Sequence, residues 1–247
     1  MSTTDPAAHS ISPAENAAIT GNLDEVADRS RAAAESSGRH GDDVRVLLAT
    51  KTQPAEKIRV ALEHGFTLIG ENKVQEIVGK AEALADLNPE THLIGPLQRN
   101  KVNHTLRHAH CIQSVDTLTL AEKINNRLDV VDETVDYFIQ VNTSREDSKF
   151  GVAPEDAEEL ITATRELGRM RLRGLMTIGL PGSSPEEIRP SYAELRELSE
   201  KLRDSGVMPA EAVELSMGMS NDFELAIAEG ATMVRVGSSV FGARDYS

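Results

Sequence analysis

Val44-Arg-Val-Leu-Leu-Ala-Thr-Lys51 is an apolar run of β type that ends in a single lysine and is followed at once by Thr-Gln-Pro. Such a run sets an amine at the tip of a buried strand. A buried ammonium must be paired or lose its proton. A lysine whose pKa is lowered in this way condenses with aldehydes to a Schiff base. For this segment alone the plainer reading, a strand-end lysine reaching into solvent, is favoured. The rest of the chain reverses that preference.

The run is the first of eight. Thr67–Ile69, Thr91–Ile94, Cys111–Ser114, Tyr137–Asn142, Leu172–Ile178, Ala212–Ser216 and Thr232–Val236 repeat the pattern. The stretches between are rich in the helix formers Ala, Glu, Leu and Arg, while Val130–Val135 reads as a loop. Strands alternating with helices pair in parallel, and eight such units in about 200 residues match an α/β fold of the (β/α)8 TIM-barrel type. An open doubly wound sheet is the rival that strand count does not exclude. Upstream, Ile19, Leu23, Val26 and Ala27 recur at helical spacing over 14–37, predicting an extra N-terminal helix closed by Gly38 and Gly41. Residues 1–13 are expected to form a disordered tail, and residues 14–247 a single barrel domain. Pro181–Pro185 reads as a loop after the sixth strand.

Composition narrows the function. The chain has 247 residues, 39% of them hydrophobic, with Lys+Arg 26 against Asp+Glu 40 and a net charge of −14. That acidic balance argues against nucleic acid or an anionic membrane as the partner. An anionic ligand would need a local positive cluster. Cys111 is the single cysteine, so no internal disulfide is expected. No apolar stretch reaches membrane-spanning length, and the N-terminus lacks an apolar signal core, so a cytoplasmic protein is expected.

In a barrel of this type the site forms where strands run into their helices. Polar groups do recur there: Lys51, Gly70-Glu71-Asn72-Lys73, Gly95 to Lys101, Ser114 with Asp116, Asn142 with Ser148-Lys149, Ser216 to Asn221, and Gly237-Ser238-Ser239. The last two units are the most specific, because loops after strands seven and eight often bind phosphate through backbone N–H groups. Ser220 reads either as the N-cap of the helix that follows or as a phosphate ligand. Gly237-Ser238 lets backbone approach an anion and adds a hydroxyl. Arg235 shares a strand face with Gly237. It reads as an ion pair with Glu214 or Glu71, or as a donor to a ligand on the barrel axis. An aldehyde at one end of a ligand and a phosphate at the other would satisfy amine, guanidinium and cradle together. Pyridoxal 5′-phosphate (PLP) and a sugar phosphate held as a Schiff base both qualify.

At this level the chain resembles the pyridoxal phosphate homeostasis proteins, whose barrel is related to the N-terminal domain of alanine racemase. The matching segments are LLATKTQP around Lys51, IGENKVQE (Ile69–Glu76), HLIGPLQRNK (His92–Lys101), SVD (Ser114–Asp116), SKFG (Ser148–Gly151), RGLMTI (Arg173–Ile178), LSMGMSNDFELAI (Leu215–Ile227) and VRVGSSVFGARDY (Val234–Tyr246). The resemblance implies a fold-type III PLP-binding barrel with the cofactor on Lys51, Arg235 at the pyridine nitrogen, and Ser220, Gly237 and Ser238 at the phosphate. Asn72 and Met217 would line the pocket. It also implies a carrier that holds, buffers or delivers PLP, with PLP-dependent apoenzymes as recipients.

Arginine is too weak an acid to protonate the ring nitrogen, so the ring is a poor electron sink and carbanion chemistry is disfavoured. A weakly active amino-acid racemase of the same fold is the alternative. A racemase needs a second acid/base on the far face of its substrate. The related racemases take it from a further domain, which is not expected here, and a monomer is expected. Tyr137, Tyr192 and Tyr246 lie at no predicted strand exit. His104, His108 and His110 near Cys111 have metal-like spacing, but no carboxylate or second cysteine completes a set, so no metal is expected. Lys149 reads equally as a ligand sensor at the mouth or as a solvated loop lysine.

Overall fold

A computed structural model of the protein describes residues 11–146, 149–180 and 184–242. Most of the expected N-terminal tail, most of the Pro181–Pro185 loop, Ser148 and Tyr246 lie outside the described residues.

The strands are β1 (Arg45–Ala49), β2 (Leu68–Glu71), β3 (Glu90–Leu93), β4 (Cys111–Val115), β5 (Val135–Gln140), β6 (Met170–Met176), β7 (Glu214–Met219) and β8 (Met233–Val236). They close into a parallel barrel in sequence order, with β8 returning to β1 so that Leu47 faces Arg235 in register. This is the (β/α)8 architecture, and it excludes the open sheet. The helices are α1 (Pro13–Ser36), α2 (Ala55–Glu63), α3 (Val74–Leu84), α4 (Val102–Thr105), α5 (Leu118–Val131), α6 (Ala157–Arg165), α7 (Pro185–Asp204), α8 (Phe223–Ala228) and the short α9 (Ser238–Phe241).

Strand alternation sorts the apolar residues into two layers. Leu47, Leu68, Cys111, Phe138, Met176 and Met233 point inward and fill the barrel. Leu48, Ile69, Ile112, Ile139 and Val234 point outward and meet Ile58, Ile77, Ile124, Ile161 and Leu195 of the helices. Full burial of one such side chain contributes about 1.5–3 kcal/mol, so both layers hold the barrel shut.

Two local expectations are corrected. Val130–Val135 is a loop only over 132–134: the buried stripe Leu120, Ile124, Leu128 carries α5 through Val131. Asp132, left-handed at φ 55°, then turns the chain into β5 at Val135. The N-terminal helix starts at Pro13, because the Ser12 hydroxyl accepts from the Glu15 N–H at 3.2 Å and caps it. That helix braces the β7–β8 side. Asn22 donates to the Val240 carbonyl at 2.9 Å, and the Arg29 guanidinium lies 4.8 Å over the Phe223 ring.

Candidate functional site

A cavity of about 810 Å³ opens at the carboxyl ends of β1, β7 and β8, and Lys51, Met219, Ser220, Arg235, Gly237 and Ser238 are among its lining residues. The two-residue period explains the set. Leu47, Ala49 and Lys51 lie in one row, and Met233, Arg235 and Gly237 in another; the lower member of each row is barrel filling and the upper members line the cavity.

Lys51 lies two residues beyond the end of β1 and is half-buried. The turn that carries it is held from both sides. Thr50 donates its hydroxyl to Glu71 Oε1 at 2.7 Å, and its carbonyl accepts from Lys80 Nζ at 2.9 Å. Thr52 is left-handed at φ 65°, a strained conformation for a β-branched residue. Its N–H donates to Glu76 Oε2 at 2.6 Å. Lys80 joins the two carboxylates, 2.7 Å from Glu71 and 3.0 Å from Glu76. Burial pushes the Glu71 carboxyl up, against the pull of Lys80. Burial also opposes ionisation of Glu76, but the Thr52 N–H and Lys80 outweigh it and hold that carboxyl below its ordinary value. Sequence reading missed this cluster. Lys80 at i+4 from Glu76 was a visible helix pair, but Glu71 joins it only through the fold.

Arg235 is 5% exposed. It pairs with neither carboxylate the sequence offered: Glu214 is taken by Arg173 and Glu71 by Lys80. Its Nη1 donates to Ser216 Oγ at 2.8 Å and its Nη2 to the Thr177 carbonyl at 2.6 Å. Burial brings the guanidinium down to about 10, which leaves it charged at neutral pH.

Ser220 does not cap the following helix. That helix begins at Phe223, with Asp222 at the cap position. The Ser220 hydroxyl instead accepts from the N–H groups of Gly237, at 3.1 Å, and Ser239, at 3.3 Å. The loops after β7 and β8 thus converge on one cluster of backbone N–H and hydroxyl groups. Gly237 is required by space: a Cβ there would stand 2.8 Å from the Ala49 carbonyl oxygen.

Lys51, Ser220, Arg235, Gly237 and Ser238 therefore meet at one cavity. Asn72 and Met217 are not in its lining. Asn72 stands at the exit of β2, packed so close to β3 that a Cβ on Gly95 would lie 2.3 Å from its carbonyl oxygen. Met217 is fully buried in the layer between barrel and helices, and Met219 lines the cavity beyond a shift in the β7–β8 register. Elsewhere, Cys111 is buried with its thiol pushed well up by burial. The N–H of Thr91 donates to His110 Nδ1 at 3.1 Å. Among the described residues no group of three His, Cys, Asp or Glu side chains is placed to hold a metal, and no helix is long and apolar enough to cross a membrane.

The family profile described as alanine racemase, N-terminal domain, matches residues 21–245. A pyridoxal phosphate homeostasis protein of Aquifex aeolicus is 43% identical over 226 residues, 91% of this chain and 97% of that one. The crystal structure of an unknown protein from Bifidobacterium adolescentis superposes with a TM-score of 0.89 at 39% identity, covering 95% of this chain and 99% of the other. PipY of Synechococcus elongatus, in the structure with PLP bound, gives a TM-score of 0.78 at 31% identity and covers 91% of this chain and 100% of its own. With one barrel, one convergent cavity and relatives matched almost end to end, this chain belongs to the pyridoxal phosphate homeostasis protein family, within the larger family of alanine racemase N-terminal domains.

Proposed function

We propose that this protein binds pyridoxal 5′-phosphate as a Schiff base on Lys51 and holds, buffers or delivers it within the cell, with PLP-dependent apoenzymes as recipients. The observation that carries the reading is the convergence of Lys51, Arg235 and the Ser220–Gly237–Ser238 cluster on one cavity. The fit is supported by the donor set and by size. The N–H groups of Gly237 and Ser239 already meet an oxygen, the Ser220 hydroxyl, and the cavity lies within the roughly 300–1,000 Å³ usual for cofactor sites. The names of the relatives and the PLP-bound PipY support the same ligand.

In this reading Lys51 supplies the amine, held in place by its pinned turn. Ser220, Gly237 and Ser238 take the phosphate. Arg235 meets the ring nitrogen and, charged by virtue of its high pKa, gives it no proton. The bound cofactor would supply an aldehyde and an electron-withdrawing ring, and an arginine partner keeps that ring a weak electron sink. The placement of Tyr137 supports a carrier over a racemase: it is fully buried and donates to Thr164 at 3.0 Å.

The test is purification without added cofactor, then a spectrum and a mass analysis before and after borohydride. Reduction should fix a pyridoxyl group on Lys51; a label on another lysine overturns the assignment. Exchange of α-deuterium from amino acids at a useful rate would favour the racemase. A related expectation concerns Gly237→Ala. The new methyl forces the exits of β1 and β8 apart, which costs about 1–3 kcal/mol in stability. Because Lys51 follows β1, PLP affinity should fall as well. Urea unfolding and a fluorescence titration with PLP measure the two effects.

A further inference from the structure

Four polar side chains from four strands are strung through the apolar filling of the barrel. Arg235 Nη1 donates to Ser216 Oγ at 2.8 Å, and Ser216 Oγ donates to Gln113 Oε1 at 2.7 Å. Gln113 Nε2 donates to His92 Nδ1 at 2.8 Å, and His92 Nε2 donates to Glu90 Oε1 at 2.9 Å. Exposure is 5% at Arg235, 0% at Ser216 and Gln113, and 2% at His92, so water does not substitute for any link. Glu90 belongs to the opposite end of the barrel, where it also pairs with Arg45.

The direction of every link is dictated by its neighbour. Arginine only donates. Ser216, accepting from it, gives its own proton to the Gln113 carbonyl. The Gln113 amide then faces His92, with Met233 Sδ also 3.1 Å from its nitrogen. Nδ1 must accept, which places the single imidazole proton on Nε2, aimed at the carboxylate. An apolar filling would close a barrel at least as well, since buried polar chains stabilise little over hydrophobic packing.

We propose that Gln113 and His92 are positioning residues for Arg235: the chain holds the guanidinium against Ser216 and Thr177, keeps its remaining N–H groups turned to the cavity, and ties ligand retention to Glu90 on the far face. The proposal rests on the reading of Arg235 as the ring-nitrogen partner. His92 must stay neutral for the chain to run in this direction. Burial holds its pKa below the ordinary value, with Glu90 opposing that shift, Arg45 adding to it and Glu214 opposing it. A proton on Nδ1 would force the Gln113 amide to flip, leaving the Ser216 proton without its acceptor.

Gln113→Leu cuts the chain at its centre. It should weaken PLP binding roughly tenfold or more, as loss of support for a charged hydrogen-bond partner does, and shift the spectrum of the bound cofactor. Phe138→Leu, a change in the same filling that touches no link, should lower stability and leave affinity within about twofold. A second readout needs no cofactor. Nitrogen NMR should show slow rotation of the Arg235 guanidinium in the native protein and fast rotation in Gln113→Leu. Should Gln113→Leu fail to fold, Gln113→Glu keeps the shape but accepts from both sides. It should make His92 a cation at a pH where the native ring is neutral, and again lower affinity. Unchanged guanidinium rotation and unchanged affinity in whichever variant folds overturn the proposal. If the native protein takes no PLP label on Lys51, the cofactor reading fails instead, and the NMR still decides whether the chain positions Arg235.

Discussion

Lys51→Ala should yield a folded, colourless protein that borohydride no longer labels with PLP. The residue is half-buried and lies beyond the last hydrogen-bonded position of β1. Its removal leaves the two apolar layers intact, so the stability change should stay within about 1 kcal/mol. Binding is a different matter. Without the amine, the proposed site would hold the ligand through the Ser220–Gly237–Ser238 cluster and Arg235 alone. Affinity should drop by at least roughly a hundredfold, or about 2.7 kcal/mol, with all covalent retention lost. Equilibrium dialysis measures the first and mass analysis after reduction the second. Persistence of colour, or a label moved to Lys149 in the native protein, would place the reactive amine elsewhere.

Lys80→Met should be the most destabilising single change near the site. It removes the cation that bridges Glu71, which is 1% exposed, and Glu76. Breaking a buried pair from one side costs about 3–5 kcal/mol, because the stranded charge must be neutralised or hydrated. The consequence for pH follows from the sign of the Glu71 shift. Its folded pKa lies above the ordinary value, chiefly through burial. The associated stability is therefore fully present below the unfolded pKa and is lost as pH rises through the folded one. Loss of Lys80 raises that folded pKa further, so the variant should be closest to the native protein in acid and fall away towards neutral pH. Adding Glu71→Gln should recover part of the loss. Urea midpoints across pH measure all three. The same variant should bind PLP more weakly even where it is folded, since the Thr50 carbonyl then loses its donor and Glu76, the partner of the Thr52 N–H, is no longer held by Lys80. A Lys80→Met protein with native stability and native affinity would show that the cluster neither braces the fold nor poises the amine.

The strands were legible because burial on both faces leaves runs that are apolar throughout, and the helices because their apolar stripes repeat at helical spacing. Lys51, Arg235, Gly237 and Ser238 were legible for a related reason. Each is a polar or glycine position where an apolar strand should continue or end. Val130–Val135 misled because two valines at a helix end look the same as two at a strand start. Ser220 stayed open between two readings because a serine ahead of a helical stretch has two good partners, its own helix and the next loop, and its hydroxyl meets the next loop. Met217 was displaced by the register shift between Ser216 and Met219, and no one-dimensional period records a shift of that kind.

Order along the chain decided that eight strands would alternate with helices, how their rows would alternate, and which ends would carry the polar groups, because those follow from periods of two and of about four residues; closure into a barrel and not an open sheet came from the structure. Only the closed structure decided partnership. Glu71 and Lys80 clamp the Lys51 turn because β2 and α3 pack beneath it, and Arg235 reaches Glu90 through Ser216, Gln113 and His92 because four distant strands share one axis. Hydrogen bonds and ion pairs act over a few ångströms, and which residues lie that close is set by closure of the sheet, not by their spacing in sequence.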